Sequence, residues 1–156
     1  MMRRSLSSRL LQRGVAAVEA ALLLVPLVIL TLGIAELGRV FYQYNTIAKA
    51  TRDGARYLSE MAPGSGYAAA KCLVVTGSPS CDGDALVEGL EVANVSICDA
   101  ASCPGSHAGV HPADAEVPVM NLVTVTVTGY RSVNFVPVQL PFLDFEPIST
   151  TMRQAR

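Results

Sequence analysis

The sequence has no tryptophan, 6% aromatic residues and two histidines. That leaves little material for a platform on which nucleic-acid bases stack, or for a histidine-rich metal site. Charge is scarce as well: 16% of residues are charged, against about 25% in ordinary soluble domains. The net charge of −1 conceals a division. Residues 1–14 carry four Arg and no acid, so the remainder holds eight basic and thirteen acidic residues and sums to −5. A surface that binds phosphates is basic, so nucleic acid is not an expected partner. Catalytic constellations are missing too. No glycine-rich phosphate loop follows a strand, no carboxylate pair stands out, and Cys81-Asp82-Gly83-Asp84 lacks the ligand series of a calcium loop. Ser106 and His107 are sequence neighbours, whereas a nucleophile and its base meet in space. An enzyme is not expected, nor any cofactor.

What the chain does have is one long apolar run. Sixteen uncharged residues, Ala20 to Ala35, separate Glu19 from Glu36. From Val15 to Leu37 the segment has 23 residues, enough to cross a hydrocarbon core of about 30 Å, which makes membrane lipid an expected partner. A cationic leader, residues 1–14, precedes it with Arg3, Arg4, Arg9 and Arg13. Arg39, Lys49, Arg52 and Arg56 follow closely, so counting basic residues on the two sides does not orient the span.

Three readings fit this region: an uncleaved signal anchor, a secretory signal cut after Ala35, and a prepilin-type leader cut after Gly14. Gly33-Ile34-Ala35 supplies the small residues that signal peptidase needs. Glu19 favours the third. A carboxylate near the start of an apolar helix is costly in lipid unless it has a use. Cleavage after Gly14 creates a positive amine on Val15, one helical turn away, which Glu19 can neutralise in its own chain or in a neighbour.

The segment Arg13-Gly14-Val15-Ala16-Ala17-Val18-Glu19, the leucine-rich stretch through Pro26 and Gly33-Ile34-Ala35-Glu36-Leu37-Gly38-Arg39 resemble the TadE-like minor pilins and pseudopilins of the tight-adherence (Flp, type IVb) pilus. The resemblance continues through Phe41-Tyr42-Gln43-Tyr44-Asn45 to Ala50-Thr51-Arg52-Asp53-Gly54-Ala55-Arg56-Tyr57. Where the family commonly carries an aromatic residue after the glutamate, this sequence has Ala20. The resemblance implies a precursor in the bacterial inner membrane, cut after Gly14 by a prepilin peptidase, with its C-terminal domain in the periplasm. The mature chain would meet other pilins and inner-membrane pilus assembly proteins, and could be incorporated into an extracellular pilus. A membrane-anchored or pilus-displayed adhesin-like module, or the soluble protein freed at Ala35, are the alternatives.

Apolar positions continue at helical spacing through Leu37, Val40, Phe41, Tyr44, Ile47, Ala48, Thr51, Ala55 and Leu58, so one long helix is expected over 15–60. Pro26 removes one of its backbone bonds. Small residues at Gly33, Gly38 and Gly54 allow close approach of neighbouring helices. The stripe Ile47–Leu58 is read as packing on the protein's own domain, and Val15–Tyr44 as an assembly surface. Arg52, Asp53, Arg56 and Glu60 form a solvated face.

Met61-Ala62-Pro63-Gly64-Ser65-Gly66 breaks the helix, making 61–66 a linker and 67–156 an exported domain. Within it, Tyr67–Thr76 and Gly83–Leu90 read as helices and Ala93–Cys98 as a strand. In Leu122–Thr128, Val123, Val125 and Val127 alternate with threonines, the mark of a half-buried strand. Prolines confine Val136–Pro147 to a loop or edge, and Ile148–Met152 returns as a last strand. The expected class is α+β: a long N-terminal helix, then a small antiparallel sheet domain stapled by disulfides. Four cysteines allow three pairings. Cys72 with Cys81 and Cys98 with Cys103 is preferred, the first loop holding Gly77 and Pro79. Each bridge restricts the unfolded chain by about 2–3 kcal/mol. The rival is a zinc site that recruits His107 or His111. Both histidines are expected to sit in a solvated loop, the cysteine spacing is not that of a compact zinc motif, and no metal is expected.

Overall fold

The computed structural model describes residues 5–110, 119–131 and 145–155, with side chains from Val15 onward. The chain divides into two compact units, Met1–Arg39 and Val40–Arg156.

The described part of the first unit lies within helix α1, Ser5–Ser59, which begins in the leader ten residues before Val15. Leucine and alanine dominate the apolar stretch, and their high helix propensity keeps the helix going through Pro26. From Val15 to Ala35 every side chain is exposed.

The second unit takes over the same helix at Val40, which is buried. Ile47, Ala50, Thr51, Ala55 and Leu58 are buried after it, recurring every three or four residues as one face of a helix does. The Ile47–Leu58 stripe thus packs on the chain's own domain, as expected. That packing also reaches back to Val40 and Tyr44, whose ring lies 6.0 Å from that of Phe145. The boundary between the two compact units falls between Arg39 and Val40, within the helix. Arg52, Asp53, Arg56 and Glu60 all face solvent.

Helix α1 stops where sequence dictates. Gly64 and Gly66 take positive φ of 83° and 76°, a region open to glycine and strained for most other residues. Helix α2, Tyr67–Thr76, runs between Gly66 and Gly77, both left-handed. The segment 83–90, expected as a helix, is irregular. Gly83 and Gly89 adopt positive φ, and the Leu86 N–H bonds to the Val75 carbonyl across the gap to α2. Its two buried residues, Val87 and Leu90, join the core without helical structure.

A 3-10 turn at Val92–Asn94 leads into β1, Val95–Asp99. A one-turn helix α3 follows at Pro104–His107, then β2 at Asn121–Val127 and β3 at Ile148–Gln154. The sheet has the order β1-β2-β3, antiparallel throughout. Register assigns the two faces. Val95, Ile97 and Asp99 lie opposite Val127, Val125 and Val123, which lie opposite Ile148, Thr150 and Met152. This face covers the core with α1 and α2. The other face carries Ser96, Cys98, Thr124, Thr126, Ser149 and Thr151, one residue out of phase. Alternation of Val and Thr in β2 is thus alternation between core and outer surface.

β3 also holds the end of α1. The Gln154 amide donates to the carbonyls of Leu58 and Met61 (3.5 and 3.1 Å), and the Ala155 N–H donates to the Ser59 carbonyl. The Leu58 and Ser59 carbonyls belong to the last turn of α1, which has no partners for them within the helix. Of the proline segment Val136–Pro147, only Phe145–Pro147 falls among the described residues, and it is not in a strand.

Candidate functional site

The surface that dominates the first unit is the exposed apolar helix. Val15 is 58% exposed and Leu23 71%, and no residue of the most apolar stretch is buried. The helix is long and apolar enough to cross a membrane. Gly14, Val15 and Glu19 all lie on it, with Val15 and Glu19 four residues apart and so stacked along one face. Glu19 is exposed, and among the described residues no side chain pairs with it. Gly33 and Gly38 have nothing within 4 Å of where a Cβ would stand. Gly54 differs: a Cβ there would meet Val74 Cγ2 at 2.6 Å and the Ala70 carbonyl at 3.5 Å. Its smallness lets α2 of the same chain approach, whereas Gly33 and Gly38 keep open space.

In the second unit Asp99 is heavily bonded, a residue that the sequence did not single out. It is 1% exposed. Its carboxylate accepts from the Gly64 N–H (2.8 Å), the Tyr67 hydroxyl (2.6 Å), the Ala101 and Ser102 N–H groups (3.0 and 2.9 Å) and the Ser102 hydroxyl (3.0 Å). Burial pushes this carboxyl toward the neutral form, but bonds from Tyr67, Gly64 and Ser102 outweigh it and hold the group well below the usual carboxylate range. Burial, then the Asp99 carboxylate, raises the Tyr67 phenol. One side chain so ties linker, α2, β1 and the loop beyond it. The available signal was Asp99-Ala100-Ala101-Ser102, a short polar turn directly after a strand.

All four cysteines pair as preferred, Cys72 with Cys81 and Cys98 with Cys103, with Cα atoms 4.7 and 5.5 Å apart. His107 is a correction. It is half-buried and bonded, not a solvated loop residue, because α3 sets it against the outer face of the sheet. Its Nε2 is 2.8 Å from Thr124 Oγ1, its Nδ1 2.7 Å from Ser106 Oγ and 3.6 Å from Cys98 Sγ. His111 lies outside the described residues.

Among the described residues the arrangement is one membrane-capable helix whose last five turns are built into a small disulfide-bonded α+β domain. Residues 14–56 match the TadE-like protein family. The match starts at Gly14, ends inside α1 and takes in none of α2 or the sheet, so what it shows is a likeness of the helix to TadE-like proteins. Neither the curated proteins nor the solved structures give a match.

Proposed function

We propose that the chain is a minor pilin or pseudopilin subunit of a tight-adherence pilus, structural and not catalytic. It is cut after Gly14 by prepilin peptidase and held by α1 in the bacterial inner membrane with its sheet domain in the periplasm. It then assembles with other pilins and with inner-membrane assembly proteins. The observation that carries this reading is where the family match begins. Gly14 is the junction of the basic leader with the apolar run, the position a leader peptidase must reach. Beyond it the stretch Val15–Ala35 offers bare apolar surface and one carboxylate, Glu19, whose cost in lipid is offset when it pairs with a cationic N-terminus. Large apolar surface of this kind needs lipid or another helix against it.

The test is the N-terminus and intact mass of the protein from membranes of its native host. A chain starting at Val15, and lost when prepilin peptidase is deleted, is the expected result. A start at Glu36 or an intact Met1 would overturn it.

A further inference from the structure

Three side chains able to ligate a metal converge on the outer face of the sheet. Cys98 Sγ, Cys103 Sγ and a ring nitrogen of His107 lie within 4.8 Å of one another. In the oxidised chain the two sulfurs are bonded together, and His107 Nδ1 is 3.6 Å from Cys98 Sγ. On a tetrahedral zinc ion, a sulfur at about 2.3 Å and a nitrogen at about 2.0 Å stand about 3.5 Å apart. The nitrogen–sulfur spacing is already that of two ligands of one ion. The two sulfurs need to separate, to about 3.8 Å.

We infer that when the Cys98–Cys103 bond is reduced, Cys98, Cys103 and His107 bind one Zn2+ and leave a fourth position to water. The same two cysteines thereby alternate between a disulfide and a metal site. A dithiol supplies the electrons: one of its thiolates attacks the disulfide, its second sulfur closes the new bond, and Cys98 and Cys103 leave as thiols. Zn2+ then replaces the two thiol protons, which pass to solvent, and takes the Nδ1 lone pair of His107.

Two features preorganise the site without the bridge. The loop between the cysteines is held by Asp99, whose carboxylate bonds Ala101 and Ser102 and whose carbonyl accepts the Cys103 N–H at 2.8 Å. The His107 N–H in turn bonds the Cys103 carbonyl at 3.0 Å. Cutting the sulfur–sulfur bond therefore leaves both cysteines and the histidine tethered. The imidazole is also oriented as a ligand needs. With its proton on Nε2 it donates to Thr124 Oγ1, which is itself 2.8 Å from Thr151 Oγ1, the outer bonding that fixes a metal-binding histidine. Nδ1 then faces Cys98, and the Ser106 hydroxyl, which bonds it at 2.7 Å, must turn away when the ion enters. All three ligands are half-buried, so an ion reaches them from solvent.

The experiment uses the full chain in detergent micelles with Cys72→Ser and Cys81→Ser, so that only one dithiol remains. It is reduced with a phosphine, which competes for zinc less than a dithiol does, and titrated with Zn2+ against a chromophoric chelator and separately with Co2+. One Zn2+ per reduced chain is expected, with a tetrahedral thiolate–Co2+ absorption, and none for the oxidised chain. Thr124→Val should weaken affinity about 10-fold, and His107→Ala by more. Circular dichroism checks the fold of each variant, and Thr124→Val carries the test if His107→Ala does not fold. Absence of stoichiometric binding by the reduced chain, equal affinity in folded His107→Ala, or equal binding by the oxidised chain would each overturn the proposal.

Discussion

The Tyr67 hydroxyl donates to the buried Asp99 carboxylate at 2.6 Å, joining the first residue of α2 to the last residue of β1. The carboxylate has four further donors, so its neighbours are satisfied only while it is ionised.

Asp99→Asn keeps the shape but replaces an acceptor-only group by one that must also donate. A loss of about 2–3 kcal/mol is expected, the range for hydrogen bonds to a charged group, with Tyr67→Phe costing about half as much. The sign with pH follows from the depressed carboxyl. Its stabilisation is present above the unfolded value of about 3.9 and is lost as pH falls below it toward the folded value. Thermal melts of the full chain in detergent from pH 7 to pH 3 should show this fall in the wild type and a flatter profile in Asp99→Asn.

Gly54 and Gly38 occupy one helix but should respond oppositely. Gly54→Ala forces a Cβ to 2.6 Å from Val74 and should destabilise by about 1–2 kcal/mol as overpacking. Gly38→Ala meets nothing within the chain and should be neutral or slightly stabilising in melts, since alanine favours helix. If the α1 surface packs against other pilins, Gly38→Ala will nevertheless reduce incorporation into pili.

Glu19→Ala should be processed normally and assemble poorly. Comparing the mature N-terminus with the amount of protein recovered in sheared pili separates the two steps. Normal incorporation would remove the pairing role of the carboxylate.

The Cys72–Cys81 bridge closes a loop whose last residue, Cys81, has φ of 60°. Cys72→Ser with Cys81→Ser should lower stability by about 2–3 kcal/mol and speed proteolysis around residues 77–86, while the β1–β3 sheet keeps its protection in hydrogen exchange.

Local signals were strong where they concerned one element. Gly66 and Gly77 bracket α2, and Val123, Val125 and Val127 announce the buried face of β2, because chain punctuation and side-chain alternation are properties of adjacent residues. The pattern of Gly83–Leu90 suggested a helix, and it failed because burial of Val87 and Leu90 is achieved from turns, with Leu86 bonded to Val75 in another element. Asp99 and His107 were opaque for a related reason. Their partners, Gly64 at 35 residues' distance and Thr124 at 17, become neighbours only once the strands are in register. The Gly14–Glu19 signal needed no tertiary structure, since both residues share one helix.

The bond from Gln154 to Leu58, 96 residues apart, also sets an order of events. Synthesis delivers Ile47, Ala50, Ala55 and Leu58 long before the strands that cover them. The late segment must return to an early one, a closure that slows folding. Until β3 has been made, the chain displays a second greasy stripe beyond the exposed apolar stretch of α1, which a chaperone or another apolar surface would have to shield. A nascent chain halted before residue 148 should therefore be the form most prone to aggregate.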